Sequence, residues 1–310
     1  MALPDILKNR LSLPLIGAPM FIVSNPELVM AQCRAGIVGS FPSLNARPIS
    51  QLSEWLVRLK EELTDEDAPF AVNLIVHKSN QRLEEDLALC VEHEVPIVIT
   101  SLGAREDVNA AIRSYGGITM HDVTNARFAH KAIEKGATGL IAVAAGAGGH
   151  AGLLSPFALV QEIREWFDGP LALSGAIANG GAILAAQAMG ADVAYAGSPF
   201  IATAEANAQG DYKQMIVDSH AADIVYSNLF TGVHGNYLRG SIEKSGLDPD
   251  NLESSDPEAM NFKEMTSGSK AWRDIWGAGQ GVGAVKAVVS AADRIAQYRR
   301  EYDAAKARLA

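Results

Sequence analysis

A chain of 310 residues with a formal net charge of −10 and no cluster of Lys and Arg lacks the basic face that nucleic acid requires, and it is repelled by anionic membrane surfaces. Hydrophobic residues make up 48% and charged residues 20%, which provides for a large core and excludes a disordered chain. Cys33 and Cys90 have no CxxC partner and read as buried thiols of a reducing compartment. The start, Met1-Ala2-Leu3-Pro4-Asp5, shows no basic-then-apolar leader, and no apolar run approaches the roughly 20 residues of a membrane span. A soluble, cytoplasmic protein without membrane or nucleic-acid partners is the expectation.

Along the chain, short apolar runs alternate with longer helical patterns. Strands are predicted at 15–18, 37–41, 70–75, 96–100, 117–120, 139–144, 171–174 and 192–196, each bounded by Gly, Pro, Ser or Asn. Helical periodicity fills 48–63, 79–93 and 125–135, the last with Ala126, Ala129 and Ile133 on one face. Eight strands, each followed by a helix, imply α/β class and a (β/α)8 TIM barrel, with a doubly wound open sheet as the structural competitor. The rhythm stops at about 211. Between 211 and 269, glycines, Pro249 and a run of acids suggest a mostly helical insertion on the substrate side, a lid to a barrel made of 1–210 and 270–310. A last helix is predicted over 282–309.

The segment Gly146-Ala147-Gly148-Gly149-His150-Ala151-Gly152 follows the sixth predicted strand. In a barrel the C-terminal strand ends build the active site, and its glycines let backbone approach a flat ligand. An imidazole there, with an ordinary pKa near 6.5, suits proton transfer, which makes His150 the candidate catalytic residue. Two other readings compete: a plain flexible turn, and a dinucleotide fingerprint formed by Gly146, Gly148 and Ala151. The second needs a helix to begin within the motif, whereas Gly152-Leu153-Leu154-Ser155-Pro156 delays it to about Pro156.

After strands seven and eight come Ser174-Gly175-Ala176-Ile177-Ala178-Asn179-Gly180-Gly181 and Ala196-Gly197-Ser198-Pro199-Phe200. Barrels that bind phosphate use these two loops, and Gly180, Gly181, Gly197 and Ser198 are the candidate donors. Turn chemistry alone is the competing account. Asn73 is a polar amide inside the apolar strand Ala71-Val72-Asn73-Leu74-Ile75 and needs a partner, either a ligand atom or a neighbouring backbone group. His121-Asp122 offers a further polar pair at the same barrel face. The other histidines lack metal-ligand spacing, no HExxH or GxSxG occurs, and no metal is expected. Tyr237 and Arg239, in the insertion, have no placement from sequence.

Taken in order, Ala18-Pro19-Met20, Val72-Asn73-Leu74, Gly148-Gly149-His150-Ala151-Gly152, Ser174-Gly175-Ala176-Ile177, Met189-Gly190-Ala191-Asp192, Gly197-Ser198-Pro199-Phe200 and Trp276-Gly277-Ala278-Gly279-Gln280 resemble the nitronate monooxygenase (2-nitropropane dioxygenase) family of FMN-dependent barrel oxidoreductases. The resemblance spans nearly the whole chain. It implies FMN across the C-terminal mouth of the barrel, with phosphate near Gly180, Gly181, Gly197 and Ser198. The ring edge would meet Ala18, Met20, Asn73 and Gln280, and Ala147, Gly148, Gly149 and Gly175 complete the cofactor-binding set. His150 would be the acid/base beside the substrate. Two departures stand out: Asp122 where some relatives carry Lys, and Ala206 after Glu205 where relatives often show Ser.

The activity implied is oxidation of alkyl nitronates with O2 to carbonyl compounds and nitrite, with the electron chemistry left to the flavin. An NAD(P)H-dependent FMN reductase of quinones or enoyl thioesters is the redox alternative. A non-redox aldolase or isomerase barrel binding a phosphorylated substrate, and a non-catalytic binding protein, are the alternatives of other classes. A homodimer is left open as the assembly state.

Overall fold

The computed structural model describes residues 3–255 and 274–310. Its strands are β1 (Leu15–Gly17), β2 (Gly39–Pro42), β3 (Phe70–Ile75), β4 (Ile97–Ser101), β5 (Ile118–Val123), β6 (Gly139–Val143), β7 (Gly149–His150), β8 (Leu171–Ser174) and β9 (Val193–Ala196). All but β7 form one parallel sheet in the order β1-β9-β8-β6-β5-β4-β3-β2. A parallel bridge between Ile16 and Val38 joins β1 to β2 and completes the ring. The expected eight-stranded α/β barrel is therefore present, and the open-sheet competitor falls.

The crossover helices are α1 (Pro26–Arg34), α2 (Ser50–Glu62), α3 (Leu83–Glu92), α4 (Glu106–Arg113), α5 (Ala126–Glu134), α6 (Pro156–Arg164), α7 (Gly180–Met189) and the short α8 (Ser198–Ile201). Three begin on the same device. The Oδ1 atoms of Asn25, Asn125 and Asn179 accept from the N–H groups of Leu28, Phe128 and Ala182 at 3.0, 2.9 and 2.8 Å. Each cap satisfies an N–H that the helix itself leaves unpaired, and is worth about 1 kcal/mol. Helix α6 starts at Pro156, as the delayed start in the sequence requires.

Strand alternation divides the core in two. Side chains facing outward, such as Leu140, Leu171, Leu173, Val72 and Val98, pack beneath the helices. Those facing inward fill the barrel: Ile16, Val38, Ala71, Ile97, Ile99, Met120, Ile141, Ala172 and Val193, with Leu7 of the N-terminal segment among them. Full burial of each aliphatic chain contributes about 1.5–3 kcal/mol, so the lower barrel is a solid plug and not a channel. Above this layer the inward positions turn polar: Asn73, Ser101, Asp122, Ser174 and Tyr195 line the opening at the C-terminal strand ends. Strand β5 runs one turn of pleat beyond its predicted end at Met120, which places Asp122 in the strand itself.

The excursion after the barrel strands carries helices α9 (Gly210–Asp218) and α10 (Arg239–Lys244), as expected, but also two strands, β10 (Ile224–Ser227) and β11 (Gly235–Leu238). These pair antiparallel with one another, and β11 pairs with β7. The β-branched and aromatic run Ile224-Val225-Tyr226 suits a pleated surface, and β7 supplies the edge it needs. Residues 256–269 of the predicted insertion lie outside the described residues. The final helix starts later than predicted, at Ala291 and not Val282. Gln280–Ala284 form a 3-10 turn, and Ser290 caps the helix by accepting from Asp293 N–H at 3.0 Å. No helix of the described residues is long and apolar enough to cross a membrane. Cys33 and Cys90 are buried free thiols, and burial pushes that of Cys33 up to about 12, so neither is poised for chemistry.

Candidate functional site

A cavity of about 700 Å³ opens at the C-terminal end of the barrel. That volume lies in the usual range of small-molecule and cofactor sites. Its floor is the polar top layer of the barrel. Ala18, Met20 and Phe21 wall one side, and Tyr212 and Trp276, stacked with centroids 4.9 Å apart, wall another.

His150 is set into this wall by the excursion. Through β7 it pairs with Gly235, and Gly149 pairs with Asn236. The Asn236 amide donates to Ala147 O at 2.6 Å, and Tyr226 Oη donates to Ala151 O at 3.0 Å. A flexible glycine turn is thereby held as a strand. Gly149 itself has φ +65 with open space where a side chain would stand, so its backbone faces the cavity uncovered. The His150 Nε2 lies 3.1 Å from Thr231 Oγ1. Burial pulls its imidazole down to about 4, so the ring is neutral at physiological pH, the form that accepts a proton.

Asn73 meets the second of its two expected kinds of partner. Its Nδ2 donates to Ile99 O at 3.1 Å and to Ser101 Oγ at 2.8 Å, which turns its Oδ1 to the cavity as an acceptor. Asp122 accepts from the Ser101 hydroxyl and the Leu102 N–H, yet burial outweighs both and raises its carboxyl to about 6. His121 is paired through Nδ1 with Thr100 Oγ1 at 2.6 Å and is pulled by burial to about 4.

Of the residues singled out from sequence, Ala18, Met20, Asn73, Gly148, Gly149, His150, Gly197 and Ser198 line this one cavity. Five do not. Ala147 is buried with its carbonyl held by Asn236. Gly175, just after the end of β8, is not among the lining residues, and Gln280 is exposed with its N–H donating to Gly146 O at 2.9 Å. Gly180 and Gly181 face the C-terminal helix: Gly180 N–H donates to Glu301 Oε2 at 2.8 Å, and a Cβ on Gly180 would stand 2.1 Å from Tyr298 O. Gly180 is thus a close-packing position and its N–H is already taken. The backbone of Ala18 and Met20 is likewise bonded within the protein, Ala18 N–H to Ala196 O and Met20 N–H to Ser24 Oγ, so these residues present apolar side chains. Arg239 pairs with Asp250 at 2.7 Å and Tyr237 is buried under the excursion, so neither reaches the cavity.

The site residues that sequence reading passed over are Thr231, Ser101, Tyr195 and Tyr212, the last stacked on Trp276. Polar residues at alternating positions of β4 and β9 signal the first layer. The turn residues Thr231-Gly232 between two β-prone runs signal the hairpin that brings Thr231 to His150.

The rim at β8 and β9 fits an anionic group. Among the described bonds, the N–H groups of Gly175, Gly197 and Ser198 donate to no protein atom, leaving three donors just after β8 and β9. Together with a cavity of this volume and an acceptor at Asn73 Oδ1, the residues present fit a phosphorylated planar cofactor such as FMN. Among the described residues, no cluster of His, Cys, Asp and Glu is arranged to hold a metal.

Barrel and cavity define an α/β-barrel protein with a ligand site at the C-terminal strand ends and a neutral histidine in its wall. The chain belongs to the nitronate monooxygenase family of FMN-dependent barrel oxidoreductases, whose family model matches residues 78–298. It is 25% identical to a nitronate monooxygenase of Paraburkholderia phytofirmans, over 93% of this chain and 92% of that protein. Among solved structures it is similar to the nitroalkane oxidase of Streptomyces ansochromogenes, with TM-score 0.82 and 24% identity over 99% of this chain and 100% of that one. FabK from Thermotoga maritima is similar too, with TM-score 0.82 and 24% identity over 98% and 96%. At such identities these two structures show the fold.

Proposed function

We propose that the chain is an FMN-dependent oxidoreductase that oxidises alkyl nitro compounds, through their nitronates, with O2 to carbonyl compounds and nitrite. The observation that carries this reading is the neutral His150, set in the wall of a cavity whose rim offers unpaired N–H donors. Gly197, Ser198 and Gly175 would hold the phosphate, and Asn73 Oδ1 would accept from the ring edge. When bound, FMN supplies the electron chemistry that no side chain here can perform. His150 removes or holds the proton on the carbon that bears the nitro group. Tyr212 and Trp276 exclude water from that carbon. Residues 211–269 act as the substrate-side lid in this reading, since the excursion holds the His150 loop in place.

The test is an absorbance spectrum of the purified protein followed by anaerobic titration with nitroethane, its nitronate and NADH in separate experiments. Bleaching of a flavin band by either nitro species, without response to NADH, supports the proposal. Bleaching by NADH alone would assign a quinone or enoyl-thioester reductase. A colourless protein that takes up no FMN would remove both.

A further inference from the structure

Asp122 is the one carboxylate among the described residues lining the cavity. It projects from β5 into the barrel's polar top layer, which it shares with Tyr195 of β9, whose phenol is held well above its ordinary pKa by burial and, second, by the charge of Asp122. The hydrogen-bond chain beneath it has a direction. Asn73 Nδ2 donates to Ser101 Oγ at 2.8 Å, and the Ser101 hydroxyl donates in turn to Asp122, as does the Leu102 N–H. Three elements are therefore arranged to present a carboxylate, yet among the described residues no cation pairs with it. Lys131, the cation lining the same cavity, is exposed on α5 at its outer wall. An uncompensated charge at a partly buried position repels a second charge of the same sign far more than it would in water.

We infer that Asp122 is a specificity-determining residue, which makes the cavity favour uncharged substrate heads over anionic ones. Resting on the function proposed above, the form taken up is the neutral nitroalkane. The nitronate then arises inside the cavity: the α C–H bond breaks, its proton passes to the imidazole of His150, and its electron pair moves onto the nitro group. A nitronate formed in solution enters against the field of Asp122. The phosphate rim, at β8 and β9, is separated from β5 by β6, so an anion at that rim and the acid on the floor do not sit on neighbouring strands.

The groups that face Asp122 define the pH window of the test. His121 and His150, both near 4, stay neutral from pH 5 to 8, and Tyr195 stays protonated; Lys131 stands at the outer wall of the cavity. Asp122, near 6, changes charge inside that range. The FMN phosphate also titrates there, but equally in wild type and variant.

The experiment is calorimetric titration of the FMN-loaded protein with nitrate, an anion of the size of a nitro group, at pH 5 and pH 8, in wild type and Asp122→Asn. Wild type should bind nitrate about tenfold more weakly at pH 8 than at pH 5. Asp122→Asn should show only the smaller change that the FMN phosphate imposes on both proteins, and should bind nitrate more tightly than wild type at pH 8. Equal nitrate affinity of the two proteins at pH 8 overturns the inference. Ser101→Ala, which removes a donor that favours the charged carboxylate, should move the wild-type transition to higher pH; an unmoved transition counts against Asp122 as its origin. In the kinetic arm, the preference in kcat/KM for nitroethane over its nitronate at pH 8 should fall about tenfold in Asp122→Asn, and an unchanged preference opposes the inference. If neither compound is oxidised, the proposed function fails while nitrate binding still decides the charge selectivity.

Discussion

The Nε2 of His150 stands 3.1 Å from Oγ1 of Thr231, a contact that joins a barrel loop to the excursion across 81 residues of chain. The Thr231 hydroxyl donates to Val233 O at 2.8 Å and accepts from Val233 N–H at 3.1 Å. With its hydrogen committed to Val233, the hydroxyl meets the imidazole as an acceptor. Nε2 therefore carries the ring proton, which makes Nδ1 the basic nitrogen of the neutral ring. Thr231→Val should lower kcat about tenfold, the worth of one hydrogen bond, while Thr231→Ser retains most activity. Steady-state kinetics of both variants checks this, and a larger loss in Thr231→Ser than in Thr231→Val would show that the methyl group matters and the hydroxyl does not.

Replacing His150 itself with Asn should cost on the order of 100-fold or more in kcat/KM, the contribution of a positioned general base, with flavin content unchanged. The pH profile makes the same point. Burial pulls the imidazole down to about 4, and the neutral ring is the form that accepts a proton. The acid limb for nitroethane should accordingly fall near pH 4, not near the 6.5 of an exposed histidine. A limb at 6.5, or one that persists unchanged in His150→Asn, would exclude this imidazole as the group responsible.

Much of this was legible because barrel strands report themselves twice. Phe70–Ile75 and Leu171–Ser174 are apolar runs bounded by turn residues, buried on both faces, and they begin and end where the pattern does. The start of α6 could be read from a single proline. What escaped was non-local. Gly180 follows a strand and precedes a helix as a phosphate-binding glycine does, yet its neighbour is a helix 118 residues further on, at Tyr298. No local pattern distinguishes a glycine kept for a ligand from one kept for a helix. Strand β7 was hidden for a related reason: two residues make a strand only when β11 arrives to pair with them, 86 residues later from Gly149 to Gly235. Asp122 was visible as a departure, but its unpaired state needed the whole ring of strands to be placed.

Gly180→Ala separates packing from cofactor binding at that position. The added Cβ would lie 2.1 Å from Tyr298 O and 2.2 Å from Tyr302 N, both backbone atoms that cannot turn aside. Overpacking of this kind costs about 1–3 kcal/mol, enough to lower Tm by several degrees. FMN content at low temperature should stay at the wild-type level, since Gly180 lies outside the cavity and its N–H is held by Glu301. Loss of FMN with no change in Tm would return Gly180 to the phosphate site.

Asp122→Asn should stabilise the fold, and only at the pH where the carboxylate is charged. In the unfolded chain the group ionises near 3.8, whereas burial holds the proton on the folded protein up to about 6. Between those values the folded state binds more protons than the unfolded, so stability falls as pH rises through the window, and the full cost is present above it. A shift of this size corresponds to at most about 3 kcal/mol. His121 and His150 act in the opposite direction, losing stability as pH falls below 6.5 toward about 4, but they do so in both proteins and cancel in the difference. Chemical denaturation of the two proteins should therefore give nearly equal stability below pH 4 and an advantage for Asp122→Asn that grows until about pH 7. A difference that does not vary with pH would mean that the Asp122 carboxyl ionises alike in the folded and unfolded chain, and the charge placed on the cavity floor would then cost the fold nothing.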